Sequence, residues 1–249
     1  MSGYLISPGP RIRVNGMMWG NQIRRRCFSD RSDFLGQFLE SHQPSRAAVN
    51  YFSAIDWTRR VLDDRNYEAV PFFSRYLDEQ TGENRFFSRT VNTPTTIPHI
   101  LALRQKGLTT IDTAEPEPSI RLQCTPTPEI QNRRPGVICL MALGPELEAH
   151  PSIVHGGFQG VIFDEIMRFV ILLHQHNIAH PGPRDIHYTT RMSISYRAPV
   201  ITPSDVLVRS WLARREGRKW FAEAQIVDYN NKILTSAESM WVTANGAAS

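Results

Sequence analysis

Cysteine is scarce in this chain, and long apolar runs are absent. Its 249 residues include three cysteines, an odd number with no Cys-x-x-Cys spacing. This argues against a disulfide framework or a paired-cysteine zinc site and favours a reducing compartment. The longest apolar candidate, residues 166–173, contains Arg168 and is far shorter than the roughly 18 to 20 residues that a membrane-spanning helix needs. The sequence therefore predicts a soluble protein without a membrane span.

Two hydrolase motifs are also missing. No Gly-x-Ser-x-Gly sequence occurs, and at the nearest spacing, from Gly156 to Gly160, the central residue is Phe158. Without that nucleophile elbow, a serine hydrolase of the α/β type is excluded. No His-Glu-x-x-His sequence occurs either, and His174 and His176 stand two positions apart, a spacing at which helical residues do not face each other. We therefore expect neither a metal site nor a cofactor.

The excess of positive charge lies at the N-terminus. The formal net charge is +4, but residues 1–28 contain five arginines and no acid, and removing five from +4 leaves −1 for the remainder. We therefore expect no nucleic-acid partner. A basic, acid-free segment with Phe, Trp and Met is typical of a mitochondrial presequence, and Arg26-Cys27-Phe28-Ser29 is similar to the Arg-x-Phe-Ser pattern at which presequences are cut. We predict mitochondrial targeting by residues 1–28; the alternative is a basic tail on a cytoplasmic protein.

Residues 29–118 are predicted to form a mostly helical N-terminal extension. Segments 33–39 and 50–62 carry apolar residues at helical spacing, and the turn-forming residues 63–66 end the second segment. Residues 67–76 are rich in aromatic side chains, which either cover one side of the main core or line a substrate entrance. Because residues 90–101 contain Pro94 and Pro98, we expect irregular extended chain there rather than a paired strand. A polar connector, residues 108–118, marks the boundary.

Residues 119–249 carry the pattern of an antiparallel sheet around one long helix. Strands are predicted at 120–124, 136–143, 191–197, 205–214, 219–229 and 233–242, with tight turns at Glu216-Gly217 and Asn230-Asn231. Residues 156–174 are apolar nearly all round, which indicates a buried helix. Strands before and after a single helix predict an α+β fold.

The chemistry concentrates in residues 150–168, HPSIVHGGFQGVIFDEIMR. Two glycines open the predicted helix, so a ligand oxygen can approach backbone N–H groups at the positive end of the helix dipole. Asp164 follows among apolar neighbours, where a carboxylate needs a partner or a catalytic role. Two structural alternatives stay open. Arg168 could pair with Asp164 at i, i+4, and the glycines could serve only close helix packing.

His155-Gly156-Gly157, followed by an acid nine residues after the histidine, resembles the PaaI-like branch of the hotdog-fold thioesterase superfamily. The later strand that ends in Tyr196-Arg197-Ala198-Pro199 is similar to that branch's strand after the helix, which typically ends in Tyr-x-x-Pro. His150-Pro151 resembles the mitochondrial acyl-CoA thioesterases of the branch and their fungal relatives. The resemblance covers residues 135–243 and implies a hotdog fold, an antiparallel sheet wrapped around one long helix. We assign residues 119–249 to this hotdog domain.

The resemblance also implies catalytic roles. The Gly156 N–H would bind the thioester carbonyl oxygen, and the helix dipole would add to its polarisation. Asp164 would act either as general base on water or as nucleophile through a mixed anhydride. Thr189 stands where relatives have a Ser or Thr that positions the water or the carboxylate.

Three further residues are implied to bind substrate. His155 is expected to fix the glycine turn rather than to transfer protons, and Gly157 belongs to the same turn. Many relatives have Asn or Gln six residues before the histidine, where this chain has Ala149. His150, one place on, would supply that polar contact.

Family members build the site across a subunit interface, which implies a homodimer or a dimer of dimers. The leading hypothesis is hydrolysis of an acyl thioester, acyl-CoA first, to the free acid and thiol. One rival is a hotdog hydro-lyase, whose helix usually carries a histidine five positions after the acid, where this chain has Phe169. The other rival is a non-catalytic acyl-thioester-binding module, which Ala149 keeps open.

Overall fold

A seven-stranded antiparallel sheet forms the centre of the molecule. The computed structural model describes residues 34–108, 133–176 and 186–244, and these fall in one compact unit. Its strands are β1 (Tyr67–Val70), β2 (Ile100–Gln105), β3 (Val137–Leu143), β6 (His187–Tyr196), β7 (Ser204–Glu216), β8 (Lys219–Val227) and β9 (Ile233–Thr243). Between β3 and β6 in the chain, two short strands, β4 (Glu148–His150) and β5 (Ile153–Val154), pair with each other. Their order in the sheet is β1-β2-β3-β7-β8-β9-β6.

Four α-helices accompany the sheet in the part of the chain that the structure describes. They are α1 (Phe34–Ser41), α2 (Arg46–Ser53), α3 (Asp56–Leu62) and α4 (Gly156–His176). A 3₁₀ turn at Phe73–Arg75, a π-helical turn at Phe86–Thr90 and a second 3₁₀ turn at Pro145–Leu147 lie in the connections. Within the described ranges, no helix is long and apolar enough to cross a membrane.

Helix α4 packs on the inner face of the sheet and is buried on most sides, as its all-round apolar sequence predicts. Ile162, Phe163, Ile166 and Met167 are fully buried there and share one core with alternate residues of the strands. Burial of each such side chain contributes about 1.5–3 kcal/mol. The predicted α+β hotdog architecture, one long helix against an antiparallel sheet, is confirmed.

The aromatic residues of the extension belong to this same core. Phe72, Phe73 and Phe87 are buried, and the Phe72 ring lies 5.3 Å from that of Phe169 on α4 in an edge-to-face contact. Phe86, in contrast, is exposed. Most of these rings therefore cover one side of the main core, which is the first of the two alternatives weighed for them.

Helices α2 and α3 cover part of the outer face of the sheet. Ala48 and Phe52 of α2 pack in a second core against residues of β1, β2 and β3 such as Leu101 and Leu140. Ser45 caps α2 by accepting a hydrogen bond from the Ala48 N–H at 3.3 Å. The predicted single helix over residues 50–62 is instead two helices, because the chain breaks at residues 54–55.

The extension supplies two strands that the sequence pattern does not predict. β2 is a paired strand bonded to both β1 and β3, whereas the prolines led us to expect irregular chain through residue 101. Both prolines precede residue 100, and β2 itself contains none. β1 is four residues long, which is too short for a periodic pattern. The sheet therefore draws strands from both sides of the connector at 108–118. Most of that connector, the strand predicted at 120–124 and residues 1–28 lie outside the described residues.

The outer face also brings two acids together. Glu223 on β8 stands directly opposite Glu238 on β9, and like charges in that position destabilise a sheet. Burial first, and then the charge of Glu238, raise the pKa of Glu223 to about 7, although Arg133 and Arg214 lower it. The folded protein therefore binds more protons here than the unfolded chain between about pH 4.5 and 7. Its stability falls as the pH rises through that window.

Replacing Glu223 by Gln is expected to stabilise the protein at pH 8 by roughly 1–2 kcal/mol, after allowance for partial exposure of the side chain. That corresponds to a rise in Tm of about 2–6 °C, whereas at pH 4.5 the variant and the wild type should melt alike. Thermal unfolding at both pH values measures the effect. Glu148→Gln, an exposed carboxylate, serves as the control. An equal Tm gain at both pH values would show that ionisation of Glu223 is not the cause.

Candidate active site

The turn before α4 is fixed by His155. Its backbone N–H donates to the Leu147 carbonyl at 2.7 Å, and its Nδ1 accepts a hydrogen bond from the Gly157 N–H at 2.9 Å. The ring thus satisfies one of the unpaired donors at the start of the helix, in the manner of an N-cap side chain. Because Nδ1 accepts, the neutral ring carries its proton on Nε2. This geometry supports the expectation that His155 fixes the turn.

Gly156 lies directly against strand β6. Its carbonyl oxygen accepts a hydrogen bond from the Tyr196 hydroxyl at 2.9 Å, and a Cβ at this position would stand 3.3 Å from three atoms of the Tyr196 side chain. Gly160 is similarly close to Ile194, at 3.1 Å. Among the residues that the structure describes, the Gly156 N–H has no hydrogen-bond acceptor. Gly156 therefore packs closely against Tyr196, and its backbone N–H is open to a ligand in the described structure.

Asp164 and Thr189 lie next to each other in the structure. The Thr189 hydroxyl donates to Asp164 Oδ1 at 2.6 Å. Thr189 stands at a register shift in the pairing of β6 with β9, and such bulges redirect side chains. Burial raises the pKa of the Asp164 carboxyl, while the hydrogen bond from Thr189 and the charge of Arg168 lower it. The result is a carboxylate with one oxygen oriented and a basicity above that of an exposed Asp.

A cavity of about 320 Å³ opens beside this carboxylate. Its walls come from α4, from β6 and β9, and from the N-terminal extension; they include Asp164, Arg168, His187, Thr189, Trp241 and Glu83. A half-buried carboxylate facing such a cavity could activate a water or attack an electrophilic carbonyl.

Gly156 and Asp164 do not meet within one chain. They are eight positions apart on the same helix, and at 1.5 Å per residue that spacing separates them by about 12 Å along the axis. A thioester carbonyl carbon and its oxygen cannot contact both groups at that distance. If both act on one substrate, they come from two chains.

The other predicted site residues lie apart from Asp164. His150 is exposed on β4, and Gly157 is exposed in the first turn of α4. Neither lines the Asp164 cavity. Within the described parts of the chain, no group of three or more His, Cys, Asp or Glu side chains could hold a metal ion.

The ion pair weighed as a structural alternative for Asp164 is not formed in the described structure. Arg168 instead pairs with Glu83 of the extension and lies 3.8 Å from Glu165 Oε2. Sequence reasoning missed Glu83, because it stands in a charged loop 85 positions before Arg168. It also gave no role to Tyr196, although the Tyr-x-x-Pro ending pointed to that residue.

The site combines a glycine-opened helix with a carboxylate held by a threonine on the following strand, which is the arrangement that the thioesterase resemblance implies. No family model matches the chain. Two curated proteins are similar to it: acyl-coenzyme A thioesterase THEM4 of Rattus norvegicus, 29% identical over 107 residues, and the uncharacterized mitochondrial membrane protein FMP10 of Saccharomyces cerevisiae, 28% identical over 109 residues. Each match covers 43% of this chain and 42% of the relative. The chain thus spans about two fifths of those relatives' length. The similarity to a thioesterase confirms the resemblance to the thioesterase superfamily.

Similar solved structures bear thioesterase names as well. Thioesterase superfamily member 2 from Mus musculus shares 15% identity and covers 44% of this chain and 80% of its own, with a TM-score of 0.37. A hypothetical thioesterase from Streptococcus pneumoniae, solved with coenzyme A, shares 12% identity over 44% of this chain and 78% of its own, with a TM-score of 0.39. The fold assignment rests on the sheet and helix described above, not on these scores.

Proposed function

We propose that this protein hydrolyses acyl thioesters, with acyl-CoA as the first substrate class to test. The observation that carries the proposal is the half-buried Asp164 carboxylate, oriented by Thr189 at 2.6 Å and facing a cavity of about 320 Å³. The similarity to a curated acyl-coenzyme A thioesterase supports the substrate class. Hydrolysis consumes one water, breaks the C–S bond, and yields the free acid and the thiol.

In this mechanism, Asp164 either takes a proton from the attacking water or attacks the carbonyl carbon itself. Burial raises the pKa of its carboxyl, which strengthens the carboxylate as a base. The Gly156 N–H, at the positive end of α4, would donate to the carbonyl oxygen as negative charge develops there. Gly156 and Asp164 can act on the same carbonyl only if they come from two chains, because they are about 12 Å apart within one chain.

Strand β6 favours a dimer. It ends the strand order of the sheet, and Tyr188 and Tyr196 on it are 60% and 56% exposed. An exposed sheet edge with aromatic side chains is a surface that another strand can cover. We propose a homodimer, or a dimer of dimers, in which each chain completes the partner's site; light scattering of the purified protein measures the mass.

A hydrolysis screen tests the function. The purified chain is incubated with acyl-CoA esters of short, medium, long and aromatic acyl groups, and free thiol release is recorded. Turnover of at least one ester above the rate without protein is the expected result. Binding of acyl-CoA without thiol release would favour the non-catalytic module instead. The hydro-lyase is disfavoured because Phe169, at the position of its second acid–base group, is buried against Phe72.

Replacing Thr189 by Val removes the hydrogen bond that favours the ionised form of Asp164. The pKa of Asp164 should rise further, so the acid limb of the kcat profile should move to higher pH, by roughly one unit. A pH–rate series on one acyl-CoA ester measures the shift. Thr190→Val is the matched control, because Thr190 donates to the Met240 carbonyl instead. Equal shifts in both variants would contradict a specific role for Thr189.

We further propose that the protein acts in mitochondria. The composition of residues 1–28 supports this, as does the word "mitochondrial" in the yeast relative's name. Fusion of residues 1–29 to a fluorescent protein tests it, with a variant in which the five arginines are replaced by Gln as control. Diffuse cytoplasmic fluorescence of the unaltered fusion would contradict the proposal.

A further inference from the structure

Arg168 stands four residues after Asp164 on α4, the spacing at which opposite charges on a helix pair. In the structure it turns to the N-terminal extension instead. Its Nη2 forms an ion pair with Glu83 Oε1, its Nη1 donates to Asn84 Oδ1 at 3.3 Å, and its guanidinium carbon lies 5.2 Å from the centre of the Phe73 ring. Three contacts from the extension therefore occupy the cation that Asp164 would otherwise attract.

The neighbouring acid on α4 is held by the same extension. Ser74, which is 2% exposed, donates to Glu165 Oε2 at 2.5 Å. Glu165 Oε2 is also 3.8 Å from Arg168 Nη1. The two charged side chains that follow Asp164 on the helix are thus both bound by residues 73–74 and 83–84, whereas Asp164 accepts its hydrogen bond from Thr189.

The segment that carries Glu83 is itself fixed. Asn84 has a φ of 64°, a conformation that Asn tolerates better than most residues. Its side-chain Nδ2 donates to the carbonyls of Phe73 and Tyr76, at 3.2 and 3.0 Å. The side chains of Glu83 and Arg168 are 27% and 20% exposed, so their attraction is screened less than that of a surface pair. Glu83 is therefore a defined part of the cavity wall.

We propose that two stretches of the extension, residues 73–74 and 83–84, form a positioning wall of the active site, in which Glu83 holds Arg168 away from Asp164. This rests on the proposed thioesterase function of Asp164. The second oxygen of the carboxylate then stays open to water or thioester. If Arg168 were released, it would pair with Asp164, stabilise the ionised form and weaken the base or nucleophile.

The charged groups around Asp164 determine which variants test the role of Glu83. The titratable and charged groups that share its cavity are Glu83, Glu165, Arg168, His187 and Tyr188. Of these, Arg168 is the cation at helical pairing distance from Asp164. Loss of the Glu83 charge should therefore act through Arg168, and removing Arg168 as well should cancel the effect.

The test compares Glu83→Gln, Arg168→Gln and the double variant with the wild type. We expect E83Q to lower kcat for an acyl-CoA ester about tenfold and to move the acid limb of the pH–rate profile down by about one unit. The double variant should match R168Q alone in both readouts. Glu79→Gln is the matched control, since Glu79 pairs with Arg89 on the exposed side of the same segment and should behave as the wild type.

The outcomes separate this inference from the proposed function. E83Q with unchanged kcat and pH profile would overturn the positioning wall while leaving thioesterase activity in place. If R168Q is as active as the wild type but E83Q and the double variant are impaired alike, Glu83 serves stability alone. If the wild type hydrolyses no thioester, the proposed function fails, and NMR titration of the Asp164 carboxyl carbon in the same proteins decides the inference. A pKa of Asp164 that E83Q does not lower, or that the double variant does not restore to the R168Q value, would overturn it.

Discussion

Replacing Asp164 by Asn is expected to lower kcat for acyl-CoA hydrolysis by about 10² to 10⁴, the range that a positioned acid–base group contributes. The amide can neither take a proton from water nor attack a carbonyl carbon. It still offers an oxygen to the Thr189 hydroxyl, which lies 2.6 Å from the carboxylate oxygen that it replaces. The fold and the cavity should therefore survive, and thiol release together with a thermal melt measures both.

The matched control is Glu216→Gln, which makes the same chemical change in an exposed pair with Arg214. It should leave kcat and KM at wild-type values. Because removal of a charge from a half-buried site relieves desolvation, D164N should also melt at the same temperature as the wild type or above it. Activity of D164N within fivefold of the wild type would exclude Asp164 from the chemistry and favour the non-catalytic binding module.

An isotope experiment tests the nucleophilic role of Asp164. If the carboxylate attacks the thioester and water then attacks the carboxyl carbon of Asp164, a single turnover in ¹⁸O-labelled water transfers an unlabelled aspartate oxygen to the acid. If Asp164 is a general base, or if water attacks the acyl carbon of the anhydride, the acid gains its label directly from water. Unlabelled acid after one turnover therefore identifies Asp164 as the nucleophile. Mass spectrometry of the acid after one turnover reads the difference.

The C-terminal half of the fold could be predicted because its periodicity is strong. Alternation along β6 and an apolar sequence around the whole of α4 each indicate one structure, and the turns contain residues that adopt positive φ, Gly217 at 56° and Asn231 at 62°. β1 and β2 could not be predicted in the same way. β1 is too short for a pattern, and β2 follows prolines in a segment whose strand character arises from pairing with β3.

The candidate site likewise contains residues that could be predicted from the sequence and a contact that could not. Asp164 and Thr189 were identified because a motif with fixed spacing places both, and the structure brings them together. The contact between Glu83 and Arg168 joins residues 85 positions apart, across two segments with no shared period. A charged loop looks solvent-exposed in the sequence, and only the packing of the extension onto α4 shows that one of its acids reaches the cavity.

Replacing Gly156 by Pro isolates the proposed oxyanion donor. Proline lacks the N–H and is tolerated at the first position of a helix, where Gly156 lies. Loss of one such donor should lower kcat by about 10² to 10³. Gly156→Ala keeps the N–H and places the same Cβ 3.3 Å from the Tyr196 side chain, so it reports the steric effect alone. We expect the alanine variant to lose less than tenfold, and equal losses in both would assign Gly156 to packing.

Mixing the two inactive variants tests whether the site is shared. A mixed dimer of G156P and D164N has one site with an intact Gly156 from one chain and an intact Asp164 from the other, while its second site lacks both. With random pairing, half of the dimers are mixed, so co-expressed chains should recover about one quarter of the wild-type activity. A site built within one chain would recover none. That second result would require a route by which groups about 12 Å apart on one helix act on the same carbonyl, and it would contradict the dimeric mechanism.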